Sequence, residues 1–276
     1  MDKEKSSKTE AQIIEQCIRA LYEKDRLNYS AKFVQGFVHN ANGPLQNLTM
    51  LTEMLGSGIE VQDRLFRSSS GENEKWSEVM AKQQKRLAQT REQIYNMAGD
   101  LREFMQLHEI ERYGTEIDIN ILITRMAKVF RSDLFFKHQV NSELRLAKNL
   151  PHIKALGRDL VPAVFHLFHN AVVALKGSAE KELIVETSMQ DGQLVLSITD
   201  TGCGVAEQDN PGVLFDLFES GWQNNDDETT SRDFHLGFGL YAARQLLLPY
   251  GFTVVLEKRN VGTSAIIRMP LENKPA

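Results

Sequence analysis

The sequence predicts an α+β fold in two parts, a helical first half and a second half of mixed strands and helices. Three observations carry this. Residues 9 to about 112 contain one proline, Pro44, and their apolar residues recur at helical steps. From about residue 114 the chain alternates strand-like and helical segments. Within that second part, Leu194, Leu196 and Ile198 alternate with Val195, Ser197 and Thr199. They lead into Asp200-Thr201-Gly202-Cys203-Gly204, a strand end followed by a glycine loop.

The first half opens with a short stripe, Ile14, Ile18 and Leu21, interrupted at Lys24-Asp25-Arg26. The stripe resumes at Phe33, Phe37, Ala41, Leu45, Leu48, Leu51 and Leu55. Gly56-Ser57-Gly58 predicts a stop, and 57–74, with Ser68-Ser69-Ser70-Gly71, reads as a connection. A second helix carries Trp76, Val79, Met80, Leu87, Ile94, Met97, Leu101, Phe104 and Met105, with Gln83 and Thr90 on the seam. Two helices with one stripe each cannot bury them as a lone hairpin. Two hairpins can, as a homodimeric four-helix bundle; the alternative is a hairpin folded onto the second domain of a monomer. His39 stands two positions from Phe37 and from Ala41. Two helical steps are about 200°, so it points away from the stripe, toward water. Pro44 lacks an N–H and is expected to kink the helix just beyond it.

In the second half, Ile117 to Phe130 reads as a helix with its lead-in, and 139–146 as a strand. Asp159 is the expected N-cap of the next helix, with Pro162 in its first turn. That helix places His166 and Asn170 four residues apart on one face. Strands at 183–189 and 193–199 are joined by an Asp191-Gly192 turn. Phe215 and Phe218 read as a wall of the site, or as core, and 221–234 as a polar mobile lid. Gly237 and Gly239 open a helix over 240–248, a backbone anion site, and 252–257 with 263–269 form a last hairpin. The Asp200 carboxylate can accept a hydrogen bond from an exocyclic amine such as adenine's, and the glycines leave room for the ring.

Composition sets the class. The 276 residues are 42% hydrophobic and 25% charged, with net charge −5, as in a soluble chain of one or two domains. That charge argues against a nucleic-acid binder relying on a broad basic surface. Cys17 and Cys203 form no disulfide or zinc pattern, and Cys203 reads as a small loop residue rather than a reactive thiol. His166 and His169 have no carboxylate or cysteine beside them, too little for a metal site. The charged N-terminus runs into no apolar stretch, and no run of about 18 apolar residues exists. The expectation is a cytoplasmic protein without membrane insertion.

The order Phe165–Leu175 with Asn170, Asp200-x-Gly202-x-Gly204, Leu214–Phe218, Gly237-x-Gly239-Leu240 resembles the ATP-binding domain of histidine kinases. The wider fold, an α/β two-layer sandwich, is shared with gyrase and a heat-shock chaperone. His39-Asn40-Ala41-Asn42-Gly43-Pro44 resembles the family's phosphoacceptor box. The resemblance implies a helical lead-in at 1–32, a dimerisation and phosphotransfer hairpin at 33–113 and an ATP-binding domain at 114–276. It implies autophosphorylation at His39 and passage of the phosphoryl group to an aspartate on a response regulator receiver domain. It implies ATP and Mg²⁺, with the metal on Asn170 and the nucleotide near His166, Asn170, Asp200, Gly202, Gly204, Phe218, Gly237, Gly239, Leu240 and Thr263.

The chain departs from the pattern in four places. Asn40 stands where the family has an acid; its amide oxygen can hold the imidazole Nδ1–H but supplies no charge. Gly43 stands where a Thr or Asn supports dephosphorylation of the partner. His235 replaces a further glycine of the last box. His166 replaces the glutamate that activates water in the ATP-hydrolysing relatives, which disfavours an ATP-hydrolysing clamp. Asn40 and Gly43 keep open an alternative, a phosphotransfer or scaffold protein with little kinase activity. No P-loop is present, and the short N-terminal stretch implies that a separate sensor protein or the N-terminal coil supplies the signal.

Overall fold

A computed structural model describes residues 10–67, 73–205, 212–219 and 237–271; for 10, 11, 25–37, 39, 40, 65 and 73–75 it gives the backbone alone. The chain divides into two compact units, Phe33–Gln106 and a second made of Met1–Lys32 with Leu107–Ala276.

The first unit is helical. It comprises most of α1 (Glu10–Arg67) and of α2 (Asn73–Tyr113). α1 runs through Lys24–Arg26, through Pro44 and through Gly56-Ser57-Gly58, so the stop expected at the two glycines is not there. Gly58 has a packing role instead. A Cβ on it would run into the Gln83 side chain of α2, whose Nε2 donates to the Leu55 carbonyl at 3.4 Å. Arg86 Nη1 donates to the Met54 carbonyl at 2.8 Å. Glycine here lets two helices approach closely, a use that a one-dimensional pattern does not separate from helix termination. The residues of the expected serine-rich connection at 68–71 lie outside the described residues.

The second unit holds a five-stranded sheet. Its strands are β2 (Asn141–Leu146), β4 (Glu182–Gln190), β5 (Gln193–Asp200), β6 (Thr253–Lys258) and β7 (Thr263–Pro270), in the order β2-β4-β5-β7-β6. β2 and β4 are parallel and the other pairs antiparallel. A small separate pair joins β1 (Glu116–Ile117) to β3 (Ile153–Lys154). Asp191 and Gly192 turn β4 into β5 with φ of 50° and 75°, the positive pair that a tight two-residue hairpin requires.

Among the described residues, four α-helices lie wholly in this unit, beside the start of α1 and the end of α2. α3 (Ile119–Phe130) is capped by Asp118, whose carboxylate accepts from the amides of Asn120 and Ile121. α4 (Leu134–Gln139) was not anticipated; six residues are too few to show a period, although Asp133 caps it in the same way. α5 (Gly157–Leu175) and α6 (Gly239–Leu247) pack on each other and on the sheet. α5 begins earlier than Asp159 implies. Its cap position is Leu156, Asp159 lies inside the first turn accepting a 2.6 Å hydrogen bond from the Tyr250 hydroxyl, and Pro162 falls beyond that turn. Gly157 sets this start, since a Cβ there would run into the Ile110 carbonyl. Its amide donates to the Gly114 carbonyl at 2.8 Å. Leu122, Leu160, Phe168, Leu183, Leu194, Leu196 and Ile267 form the buried layer between helices and sheet.

Candidate functional site

The site is built on one face of α5. Three residues at steps of four, His166, Asn170 and Ala174, look along that face. At one end His166 lies under the start of α6: a Cβ on Gly239 would stand 3.1 Å from its Nδ1. At the other end Ala174 lies under the glycine loop, because a Cβ on Gly202 would overlap the Ala174 methyl. The Cys203 amide donates to the Ala174 carbonyl at 3.3 Å, which ties the loop to the helix. Asn170 is half-buried midway between the two glycine segments.

Asp200 ends β5 with its carboxylate buried. The Gly202 amide donates to its Oδ1 at 2.8 Å. Burial pushes its pKa up to about 6, while the amides of Gly202 and Thr263 pull the other way. Thr263 is its register partner on β7, so this residue reaches the carboxylate through its backbone. Gly262, at φ 78°, sits where a Cβ would meet the Asp200 carbonyl. Gly204, at φ 72°, faces Gly262. The strand end, its loop and the β7 entry therefore form one cradle that only glycine permits at its closest points.

At the α6 end, Gly237 has φ 65°, and a Cβ on it would collide with the Glu219 carbonyl and approach the Phe218 carbonyl carbon at 2.6 Å. Phe218 itself has φ 69° and is largely exposed, whereas Phe215 is buried under the Arg244 guanidinium. The two phenylalanines thus separate, one into the core and one at the surface. Leu240 is half-buried in the first turn of α6.

The residue set named from the sequence therefore divides. Asp200, Gly202, Gly204 and Thr263 meet at one end of the α5 face, His166 and Gly239 at the other, and Asn170 lies between. His39 and Asn40 lie within α1, and their side chains are outside the described residues, as are His235 and the lid residues 221–234. His169 stacks on Phe165 at 5.6 Å, and no group of three metal-binding acidic, His or Cys side chains occurs among the described residues. Ala174 went unremarked as a site residue in the sequence; a small residue one turn beyond Asn170 was the available signal.

Residues 156–273 match the profile described as "Histidine kinase-, DNA gyrase B-, and HSP90-like ATPase", the span that contains the whole α5 face and both glycine segments. Over 241 residues the chain is 25% identical to the sensor protein RprX of Bacteroides fragilis, covering 87% of this chain and 43% of that protein. It is 27% identical over 188 residues to the sensor histidine kinase GraS of Staphylococcus aureus, covering 61% of this chain and 52% of that one. The chain thus spans about half the length of the curated relatives it matches. Among solved structures, the catalytic domain of histidine kinase ThkA aligns at 18% identity and TM-score 0.47, covering 57% of this chain and 95% of that one. The Acinetobacter baumannii histidine kinase AdeS aligns at 18% identity and TM-score 0.44, covering 85% and 98%. No described helix is long and apolar enough to cross a membrane.

Proposed function

We propose that the chain is an ATP-dependent protein-histidine kinase that transfers a phosphoryl group to His39 and then to an aspartate of a response regulator. The observation that carries this is the α5 face, which joins a buried carboxylate and glycine cradle at one end to the glycine-rich start of α6 at the other. In this reading Asp200 takes the adenine amine, the α6 start takes phosphate, and Asn170 between them supplies one amide oxygen to Mg²⁺. A single neutral oxygen suits that ion, which keeps most of its waters and bridges phosphates. Mg²⁺, when bound, neutralises charge on the phosphates as the transfer proceeds.

The chain's own part is positioning. The Nε2 lone pair of His39 forms the new bond to the γ-phosphorus, and the bond to the β–γ bridging oxygen breaks as ADP leaves. Asn40 holds the Nδ1–H and fixes the tautomer without adding charge. The working division is a lead-in at 1–32, a dimerisation and phosphotransfer hairpin at 33–113 and an ATP-binding domain at 114–276. The exposed heptad steps Met80, Leu87, Ile94 and Leu101 on α2 support pairing with a second copy. The partners are a receiver domain and a separate sensor protein, and the compartment is the cytoplasm.

Incubation with γ-labelled ATP tests this. Acid-labile, base-stable label on the protein, lost in His39→Ala, is the expected result. Nucleotide binding without label would favour the phosphotransfer or scaffold reading that Asn40 and Gly43 motivate. Steady phosphate release without labelled protein would indicate a hydrolysing clamp.

A further inference from the structure

The N-terminal part of α1 packs, within the second unit, on the start of α6. The Tyr22 ring lies 5.3 Å from that of Phe238 and 6.5 Å from that of Tyr241, nearly parallel to the latter at 15°. Phe238 and Tyr241 are themselves 6.1 Å apart. Phe238 is the residue between Gly237 and Gly239, so one aromatic side chain of α1 rests on the centre of the proposed phosphate corner. There is no room for a side chain at either glycine: a Cβ on Gly237 would meet the Glu219 carbonyl, and one on Gly239 would stand 3.1 Å from His166 Nδ1.

One feature makes this contact a releasable one. Ile18, Leu21 and Tyr22 are half-buried while Ile13 and Ile14 stay exposed. Ile14, Ile18 and Leu21 are the stripe that would pair α1 with another helix, and one face cannot serve both contacts. The Tyr22 hydroxyl lies buried beside Tyr241.

We propose that residues 18–22 of α1 are an autoinhibitory latch on the nucleotide site, opened when the Ile14–Leu21 stripe pairs with a second copy of the chain. With Tyr22 against Phe238 and Tyr241, the Gly237–Gly239 segment is held in its closed form. Withdrawal of Tyr22 frees it to rearrange around phosphate. The latch rests on the reading of this site as a nucleotide site.

By reciprocity, nucleotide must weaken the Tyr22 contact by the same factor that the contact weakens nucleotide binding. An aromatic contact of this kind sets that factor at roughly two- to tenfold. The test is binding of a fluorescent ATP analogue to the full chain with Mg²⁺. Tyr22→Ala is expected to bind two- to tenfold more tightly than the unmodified protein, and Tyr22→Phe, which keeps the ring, no more than twofold more tightly. Unchanged or weaker binding by Tyr22→Ala would overturn the latch. Hydrogen exchange in the unmodified chain gives an independent reading: amides 16–24 should exchange faster at saturating nucleotide, and equal or slower exchange would overturn the latch without any variant. If the unmodified chain binds no analogue, the nucleotide reading itself is wrong and the latch goes with it. Binding with no response to Tyr22→Ala removes the latch alone.

Discussion

The two units treat their apolar residues in opposite ways. In the sheet-containing unit, Ile119, Leu122, Leu160, Phe168, Leu194 and Ile267 are fully buried between helices and strands. In the helical unit, Leu51 is the one buried apolar residue among those described, while Met50, Ile59, Leu87, Ile94, Tyr95 and Met105 are exposed. The sheet unit closes its core within one chain. Among the described residues, Leu87 and Ile94 on α2 stay uncovered within the unit, and burying one such Leu or Ile is worth about 1.5–3 kcal/mol. The difference fits the proposed reading, in which the sheet unit folds on its own and the helical unit pairs with a second copy.

Breaking the helical side should have the larger effect. Leu87→Asp puts a carboxylate into the seam of the proposed four-helix bundle, where it has no partner. Association should weaken by more than about a hundredfold, read as a halved mass in light scattering, with nucleotide affinity falling by no more than the roughly two- to tenfold that the Tyr22 latch sets. A dimer of undiminished strength would place the interface elsewhere. A smaller effect is expected on the sheet side from Gly202→Ala. The added methyl meets Ala174 and stands 2.6 Å from Asp200 Oδ1. Overpacking of this kind costs about 1–3 kcal/mol, visible as a fall of several degrees in Tm together with weaker nucleotide binding. An unshifted Tm would mean that the loop has room the geometry denies.

The same contrast explains what could be read from the sequence. In the sheet unit, the strand periods on either side of Asp191-Gly192, the glycine opening of α6 and the placement of Asp200 at a strand end are local patterns, and each has its counterpart in the fold. What escaped depends on partners distant in sequence. Gly58 reads as a stop until Gln83 is brought against it. Asp159 reads as a cap until Tyr250, 91 residues away, donates to it. Tyr22 shows nothing in sequence of its contact with Phe238. In the site, residue types and order were legible, whereas the α5 face that connects them needed Ala174 and Gly239 in three dimensions.

Asp200 holds the account together, because its burial works against the fold. Its pKa is raised from 3.8 to about 6, so the charged form is disfavoured in the folded chain. A carboxyl whose folded pKa lies above its unfolded one contributes stability at low pH that is lost as pH rises from about 4 through 6, about 3 kcal/mol in all. Asp200→Asn removes that penalty at pH 7.5, so the variant should be no less stable than the parent. In the proposed reading the ionised form accepts from the adenine amine, so nucleotide affinity should be level above pH 7 and fall as pH drops through about 6.

The most direct test is a calorimetric titration of Mg²⁺-ATP into the parent chain and Asp200→Asn at pH 7.5, with the parent repeated at pH 5.5. Loss of a hydrogen bond to a charged group predicts binding about 10- to 100-fold weaker in Asp200→Asn, with an equal or higher Tm, and weaker binding of the parent at pH 5.5. Equal affinity of parent and variant, with a parent affinity that does not change between the two pH values, would contradict Asp200 as the group that reads the nucleotide.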